Sequence, residues 1–500
     1  MNTVLAIDQS TSATKALLFN TQGELLDSTS LPHEQIYPQP GWVEHDPEEI
    51  YQNTIHAVRD LVGQNASLKN DLHFLSITNQ RETIVVFDKA TGKPLHNAIV
   101  WQCRRGEPIC SQLIAEGHTE KVQRLTGLKI DTYFPASKLK WLLDNHPEIK
   151  ERLLDGTALA GTIDTYLVYR LTGGQVFATD HTNASRTLLY DIGQLRWDEG
   201  LCELFDIPVG ALPRVIESRA RFGETNLEGV LDQNIPICGV MGDSQAALFA
   251  QRCYWPGSAK VTFGTGSSVL LNIGDQMKLS ENGIVTTIGW VLNEQPTYSF
   301  EGITNFTGAT IAWMCDQLQL IESPRETEGL ATAVEDNGGV YLVPAFVGLS
   351  APYWRPDTKA AILGLTPHST KSHVVRAALE SIAYRITDVL GLMAEGAGTT
   401  LQHVHADGGA TSNQFLMQFV ADMTQLTVRA SSLPELSALG AVLSGTLGMQ
   451  VYKSLAELEK LPVDFTDYQP SMSAEQAQKL YAGWQSAVNQ VLSRQAQDQK

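Results

Sequence analysis

Small polar residues follow the first apolar segment of the chain and could bind phosphate. Residues 4–7 form an apolar run that ends at Asp8, and a polar turn over residues 9–14 leads into a second apolar run at 16–19. Backbone N–H groups and hydroxyls in such a turn suit phosphate oxygens, and Lys15 adds a positive charge. Asp8 could hold a divalent metal, directly or through water. The same pattern is also typical of an ordinary β-hairpin with a capping aspartate.

Two further turns of small residues follow apolar runs in the second half. Residues 264–268 (GTGSS) separate two apolar runs, and residues 407–410 (DGGA) precede a stretch with helical periodicity. Neither turn matches the Walker A or G-x-G-x-x-G pattern, so P-loop and Rossmann assignments lack support. Three such turns together favour nucleotide binding. The strand–turn–strand pattern near the start of each half indicates an internal duplication, although two hairpins could also arise by chance.

Charged residues stand at two other strand ends. Asp243 follows the apolar residues 237–241, and ligands of α/β sheets bind at such carboxyl ends. Asp243 could equally be the N-cap of the helix expected over residues 246–252. Arg81 and Glu82 could donate and accept hydrogen bonds to adjacent hydroxyls, or they could form a surface ion pair.

The elements that must position these residues alternate between strands and helices. Strand-like runs occur at residues 74–77, 98–101, 339–343 and 404–407, and helical runs at 48–61, 137–143, 373–392, 413–424 and 474–496. This alternation predicts α/β layers. Pro256 and Gly257 mark the expected domain boundary within residues 250–258. No long linker is present, so the two halves are expected to touch and form a cleft.

Composition limits the classes of protein that this chain can be. Its 500 residues exceed one ordinary core, while 43% hydrophobic and 18% charged residues exclude a disordered chain. A net charge of −19 argues against nucleic acid or an anionic membrane as partner. The six cysteines form no CxxC pair, which favours free thiols. No apolar run is long enough for a membrane-spanning helix, and the N-terminal residues are predicted to form a strand rather than a signal peptide. We therefore expect a cytoplasmic protein with free thiols.

Several longer motifs resemble glycerol kinases and the wider FGGY carbohydrate kinase family. The matching segments are residues 40–47 (PGWVEHDP), 78–83 (TNQRET), 97–105 (NAIVWQCRR), 182–187 (TNASRT), 348–354 (GLSAPYW), 363–366 (LGLT) and 379–381 (LES). The resemblance runs from Asp8 to residues 481–484 and so covers nearly the whole chain. It implies two ribonuclease-H-like domains of the actin and hexokinase superfamily flanking a catalytic cleft. Residues 1–250 would hold the polyol and the phosphate-binding hairpin, and residues 251–500 the nucleotide.

The resemblance also implies an activity and its residues. It implies an ATP-dependent kinase that phosphorylates a terminal hydroxyl of a small polyol, glycerol to glycerol 3-phosphate, with Mg²⁺. A homo-oligomer, dimer or tetramer, is expected. Asp243 would be the catalytic base, and Asp8 and Asp243 would hold the metal. The polyol pocket would consist of Arg81, Glu82, Trp101, Tyr133, Asp243, Ser244 and Ser268. The nucleotide and its phosphates would contact Thr11, Ser12, Ala13, Lys15, Thr265, Gly308, Ala312, Gly409 and Asn413.

The chain departs from the glycerol kinase pattern at several positions. Ser244 and Ser268 stand where glycerol kinases usually carry Gln and Phe, which leaves room for a larger substrate. A kinase for a four- or five-carbon polyol or ketose is therefore the alternative. Ala312 replaces a Gln that usually meets the nucleotide, and residues 228–234 lack the loop that binds fructose bisphosphate in bacterial glycerol kinases. A non-catalytic nucleotide-dependent switch is the alternative from another class, although Asp8, Arg81, Glu82 and Asp243 together speak against it.

Overall fold

The computed structural model describes residues 3–65, 71–280, 282–355, 357–433 and 435–498. The strands in this part of the chain are β1 (Thr3–Gln9), β2 (Ala13–Asn20), β3 (Leu25–Pro32), β4 (Glu44–His45), β5 (Leu72–Asn79), β6 (Ile84–Asp88), β7 (Ala98–Ile99), β8 (Ala158–Thr162), β9 (Ala178–Asp180), β10 (Tyr190–Asp191), β11 (Arg196–Trp197), β12 (Arg214–Ile216), β13 (Arg221–Thr225), β14 (Ile235–Gly242), β15 (Ser258–Phe263), β16 (Ser267–Gly274), β17 (Val285–Leu292), β18 (Gln295–Thr304), β19 (Tyr341–Val343), β20 (Ala361–Leu363), β21 (His403–Asp407), β22 (Val428–Ser431) and β23 (Phe465–Tyr468).

The α-helices lie between and after these strands. They are α1 (Pro47–Gln64), α2 (Glu107–Ala115), α3 (Thr119–Thr126), α4 (Pro135–Asn145), α5 (Pro147–Leu154), α6 (Ile163–Leu171), α7 (His181–Ala184), α8 (Glu199–Leu204), α9 (Asp243–Ala250), α10 (Gly308–Asp316), α11 (Glu326–Thr332), α12 (Lys371–Ala397), α13 (Gln414–Thr424), α14 (Leu436–Gly448), α15 (Leu455–Leu458) and α16 (Ala474–Asp498). Among the described residues, no helix is both long enough and apolar enough to cross a membrane.

Two mixed sheets form the centres of the two lobes. The first has the order β13-β14-β5-β1-β2-β3 and the second the order β17-β18-β16-β15-β21-β22-β23. In each sheet, an antiparallel hairpin (β1–β2 or β15–β16) is extended by a strand parallel to its first member (β5 or β21). The residues of β1 are buried on both faces, which explains its continuous apolar run. The repeated arrangement supports an internal duplication, and the predicted α/β fold class is confirmed.

Most elements predicted from the sequence are present with wider bounds. Both predicted hairpins form, and the helix predicted at residues 48–61 is α1, whose first residue, Pro47, follows the N-cap Asp46. The strand predicted at 98–101 is shorter, because Trp101 already belongs to a turn. The N-cap interpretation of Asp243 is wrong: Gly242 is the N-cap of α9 and Asp243 is the first residue of the helix.

Two helices join the lobes. α14 belongs to the second half of the chain, yet it packs against β14, β5 and α9 of the first half. One apolar cluster therefore contains Val4 and Phe74 from the first sheet, Leu270 from the second sheet, and Leu439 from α14. Because α9 carries Asp243 at its start, this interface fixes the position of Asp243 relative to both sheets.

Gly440 makes the close crossing of α9 and α14 possible. A Cβ atom at this position would lie 1.8 Å from the carbonyl oxygen of Ala246, which is backbone and cannot move aside easily. We expect Gly440→Ala to lower the free energy of unfolding by about 3 kcal/mol, since overpacking of a tight contact commonly costs this much. Urea denaturation of the two proteins measures the difference.

Gly391 provides the matched control. It lies in α12, and a Cβ there would meet nothing within 4 Å. Gly391→Ala should therefore raise the unfolding free energy by about 0.5–1 kcal/mol, the ordinary gain for this exchange within a helix. If Gly440→Ala were as stable as Gly391→Ala, the close helix crossing would be wrong.

Candidate active site

A cavity of about 710 Å³ lies between the lobes and brings together residues predicted from both halves. Of the predicted site residues, the following line it: Asp8, Asp243, Ser244, Ser268 and Gly409. Asp8 is the next-to-last residue of β1 in the first sheet, and Ser268 lies in β16 of the second. The two carboxylates on which the predicted chemistry depends therefore share one cavity.

Asp8 is a buried carboxylate beside other negative groups. Its side chain lies at the carboxyl end of β1, paired in register with Lys15 of β2. Burial raises the pKa of Asp8 to about 7; Lys15 opposes the shift, while Glu435 and Asp243 add to it. A buried carboxylate of this kind favours a bound cation.

Lys15 is engaged by the other lobe. Its Nζ donates to both carboxylate oxygens of Glu435, at 2.7 and 2.8 Å, and Glu435 lines the cavity immediately before α14. The neighbouring turn residues Thr11, Ser12 and Ala13 lie beside Asp8 but are not among the residues that line the cavity. Lys15, the positive charge predicted to bind phosphate, thus lies at the edge of the cavity and is paired with Glu435.

Asp243 is held on one side and open on the other. Its Oδ1 accepts a hydrogen bond from the backbone N–H of Ser244 at 2.6 Å and lies 2.9 Å from Nε of Arg81. No hydrogen bond reaches its Oδ2 within the described part of the chain, and 40% of the side chain is exposed. One oxygen of the carboxylate is therefore fixed, and the other can accept a proton from a ligand.

Arg81 and Glu82 do not form a surface ion pair, so that interpretation is wrong. Both are buried, and each has other partners besides its neighbour. The guanidinium of Arg81 donates to both oxygens of Glu301 at 2.9 and 3.1 Å, and to Gln245 at 3.1 Å. Glu82 accepts a 2.6 Å hydrogen bond from Nε of Arg186.

Arg186 and Glu301 complete this group of charges. Nη1 of Arg186 lies 2.7 Å from Glu301, so five side chains of alternating charge follow one another. We call this group the ion-pair chain; in order, it consists of Glu82, Arg186, Glu301, Arg81 and Asp243. Burial alone would raise the pKa of Glu301, but the guanidinium groups of Arg186 and Arg81 outweigh it and lower the pKa to about 2. Glu301 is thus an anion between two cations.

Trp101 and Tyr133 form an aromatic corner next to the ion-pair chain. Their ring centroids lie 5.4 Å apart in an edge-to-face arrangement, and both side chains are partly buried. Nε1 of Trp101 donates to the hydroxyl of Thr11 at 3.0 Å, and this hydrogen bond connects the aromatic corner to the turn of the β1–β2 hairpin. The guanidinium of Arg186 lies 5.9 Å from the Tyr133 ring. Tyr133 thus lies beside Arg186 of the ion-pair chain, and neither aromatic ring is among the residues that line the cavity.

The other predicted nucleotide residues belong to the second half of the chain: Thr265, Gly308, Ala312, Gly409 and Asn413. Of these five, Gly409 lines the cavity and the other four do not. The carbonyl of Thr265 accepts from the backbone N–H of Ala309 at 3.1 Å, and Gly308 begins α10 beside it; Ala312 is exposed on the same helix. Asn413 caps α13 by accepting from the N–H of Leu416.

Gly408 is required where β15 and β21 end side by side. Its φ is +96°, and a Cβ would lie 2.3 Å from the carbonyl oxygen of Phe263. The glycine turn therefore lies directly against the end of β15.

Sequence reasoning missed three charged residues of the site. Glu301, Lys260 and Glu435 all lie in or beside the cavity, as does Asp407 of the predicted glycine turn. Nζ of Lys260 donates to the hydroxyl of Thr262 at 2.8 Å, and burial lowers its pKa. Lys260 and Glu301 are each the single charged residue of their strand, β15 and β18, and this was the signal that could have identified them.

Ser244 and Ser268 lie on the cavity wall, as their departure from the pattern suggested. The hydroxyl oxygen of Ser268 is buried and makes no hydrogen bond within the described part of the chain. A buried hydroxyl without a partner is unfavourable, so this atom is suited to a polar group of a ligand.

Family comparisons agree with this architecture. Residues 3–250 match the N-terminal domain, and residues 259–449 the C-terminal domain, of the FGGY family of carbohydrate kinases. The fold and site define a two-lobed carbohydrate kinase. The chain belongs to the FGGY family, and the prediction of an ATP-dependent carbohydrate kinase is confirmed.

Similar proteins cover nearly the whole chain. Glycerol kinase 1 of Thermotoga maritima is 47% identical over 490 residues, 98% of this chain and 99% of that protein. Glycerol kinase of Symbiobacterium thermophilum is 46% identical over 489 residues, covering 98% of each protein. The structure of Plasmodium falciparum glycerol kinase with ADP superposes with a TM-score of 0.94 at 37% identity and covers 98% of both chains. A xylulose kinase from Lactobacillus acidophilus (98% of this chain, 99% of that chain) shares the fold with a TM-score of 0.88 at 20% identity.

Proposed function

We propose that this enzyme transfers the γ-phosphoryl group of ATP to a terminal hydroxyl of glycerol, giving glycerol 3-phosphate and ADP. The observation that carries the proposal is the shared cavity of Asp8 and Asp243, with Oδ2 of Asp243 open to a ligand. The names of the most similar relatives, glycerol kinases at 43–47% identity, support glycerol as the substrate.

Asp243 would act as the catalytic base. An alcohol is a poor nucleophile, and phosphoryl transfer passes through a loose transition state, so positioning and charge neutralisation supply most of the catalysis. Oδ2 of Asp243 would accept the proton of the attacking hydroxyl as the bond to phosphorus forms. Arg81 and Ser244 would hold Oδ1 and so keep Oδ2 directed into the cavity.

The polyol would lie between the ion-pair chain and the aromatic corner. Arg81 and Glu82 would bind its hydroxyls as donor and acceptor, while Trp101 and Tyr133 would pack against its carbon atoms. Closure of the two lobes would exclude water, which otherwise could take the phosphoryl group in place of the alcohol.

Asp8 and Asp243 fit a Mg²⁺ ion that arrives with the nucleotide. No group of three or more His, Cys, Asp or Glu side chains that could enclose a metal occurs among the described residues. Mg²⁺ is usually bound by one or two carboxylates together with waters and phosphate oxygens. Burial raises the pKa of Asp8, and a bound cation would favour its ionised form, so this carboxylate suits the role. When bound, the ion neutralises charge on the transferred phosphoryl group.

The nucleotide would extend from the hairpin to the second lobe. Lys15 and the turn residues Thr11, Ser12 and Ala13 would face the phosphates. The remaining proposed contacts are Thr265, Gly308, Ala312, Gly409 and Asn413. Because Lys15 is paired with Glu435, phosphate would have to share or replace that ion pair. The short side chain of Ala312 provides no polar contact to the nucleotide.

We further propose a cytoplasmic location and a homo-oligomeric state, dimer or tetramer. All six cysteines are free, which supports a reducing compartment.

A second candidate function is phosphorylation of a longer polyol or ketose. The buried, unpartnered hydroxyl of Ser268 favours it, because a fourth or fifth carbon would bring a further hydroxyl toward this wall. Ser244 on the same wall adds a second small hydroxyl.

A substrate panel decides between the two candidates. We expect glycerol to have the highest kcat/KM in an ADP-coupled assay with glycerol, erythritol, threitol, xylitol and ribulose. If four-carbon polyols follow within about tenfold, the cavity is larger than glycerol requires, since one methylene is worth about 10–200-fold in a fitted pocket. Ser268→Phe should then remove activity on the longer substrates and spare glycerol. A preference for a longer substrate would replace the first candidate, and a rejection of all longer ones would defeat the second.

A further inference from the structure

Glu301 joins the substrate side of the site from the opposite lobe. It lies on β18 of the second sheet, whereas the other four members of the ion-pair chain belong to the first half of the chain. Its side chain is 1% exposed and accepts hydrogen bonds from both terminal nitrogens of Arg81. A bidentate contact of this kind fixes the plane of a guanidinium as well as its position.

The partners of Arg81 divide its nitrogens into two sets. Nη1 donates to Glu301 and Gln245 and Nη2 donates to Glu301, whereas Nε lies 2.9 Å from Oδ1 of Asp243 as an ion pair and makes no hydrogen bond within the described residues. Glu301 itself is held by Arg186, whose Nε is held by Glu82. Each member of the ion-pair chain thus restricts the next one.

The division matters because Asp243 would otherwise be a better partner for Arg81. Without the charge of Glu301, two terminal nitrogens of a buried cation would lack an anion, which is costly. The nearest carboxylate that could replace it is Asp243, and a bidentate contact there would occupy both oxygens of Asp243. Oδ2 would then no longer be available to a substrate hydroxyl.

We infer that Glu301 and Arg186 are positioning residues of the phosphoryl transfer: from the second lobe, Glu301 orients Arg81 so that one oxygen of Asp243 stays free for the substrate hydroxyl. This inference rests on the proposed role of Asp243. It also means that the two lobes must meet for the base to be correctly placed.

The test compares Glu301→Gln with wild type on whichever polyol the wild type phosphorylates best. We expect kcat to fall about 100-fold, the effect of a misplacement of about 1 Å at a reacting group. KM for ATP should stay within about twofold, because the side-chain partners of Glu301, Arg81 and Arg186, are not among the proposed nucleotide residues. Thermal unfolding of both proteins is measured alongside.

Glu380→Gln is the matched control. Glu380 is likewise a buried glutamate of the second half, paired with Arg376 at 2.9 Å, and it does not line the cavity. Its loss should lower stability with kcat changed by less than about threefold. Equal kcat values for Glu301→Gln and Glu380→Gln would overturn the inference and leave Glu301 a purely structural residue.

Arg186→Lys keeps the result decisive if Glu301→Gln does not fold. A lysine retains the positive charge but cannot contact Glu82 and Glu301 with a rigid fork, so kcat should fall about tenfold. Wild-type kcat in this variant would also overturn the inference. If the wild-type protein phosphorylates no polyol, the proposed function is wrong. If the wild type is active and Glu301→Gln has the same kcat, only the inference about Glu301 is wrong.

Discussion

Asp243→Asn is expected to lower kcat about 1000-fold, since a positioned general base contributes roughly 10²–10⁴-fold. The amide retains the size of the carboxylate and can still accept from the N–H of Ser244, but it cannot take the proton of the attacking hydroxyl. Steady-state kinetics with saturating ATP and polyol measure the loss. The dissociation constant for ADP, measured by calorimetry, should change less than about twofold.

Asp198→Asn is the control for this substitution. Asp198 caps α8 by accepting from the N–H of Leu201 and does not line the cavity, and asparagine caps helices equally well. This variant should keep wild-type kcat. An Asp243→Asn enzyme with more than a tenth of wild-type kcat would show that another group accepts the proton.

Asp8→Asn is expected to lower kcat/KM about 1000-fold and yet to stabilise the ligand-free protein. The loss of activity follows from removal of one of two carboxylates proposed for Mg²⁺, whose charge stabilisation is worth several kcal/mol. A higher Mg²⁺ concentration should restore part of the activity. Titration of the initial rate with Mg²⁺ measures both effects.

The gain in stability follows from the raised pKa of Asp8. A carboxyl group whose pKa rises from 3.8 to about 7 on folding opposes folding as the pH increases through this interval, and the cost is fully present above pH 7. Asparagine carries no charge, so at pH 8 without Mg²⁺ the variant should gain about 4 kcal/mol of unfolding free energy, since each unit of pKa shift is worth about 1.4 kcal/mol. A variant that loses activity and stability together would contradict the metal role and indicate a structural one.

The two hairpins could be predicted because their signals are local. Asp8 and Lys15 are close in sequence, and an apolar run, a polar turn and a second apolar run already specify their pairing. The glycine turn at residues 407–410 could be predicted for the same reason, because an apolar run followed by Asp-Gly-Gly is a local pattern. Because Asp8, Asp243 and Gly409 all lie at or directly after predicted strand ends, the sequence was sufficient to propose them as site residues.

The ion-pair chain could not be predicted from the sequence in the same way. Arg81 and Glu301 are 220 positions apart, and Lys15 and Glu435 are 420 positions apart. Each of these pairs joins the two halves of the chain, which pack together at the α9–α14 interface. Arg186 lies within a motif that resembled the family, but its neighbours gave no indication of its partner.

The measurement that tests the central claim most directly is phosphorus NMR of the wild-type protein with ATP, Mg²⁺ and glycerol. The account predicts a new phosphorus signal from a phosphomonoester on the primary hydroxyl of glycerol. This product should form in an amount equal to ADP, and it should be absent with Asp243→Asn. Release of inorganic phosphate alone, or no consumption of ATP with glycerol or any longer polyol, would contradict it.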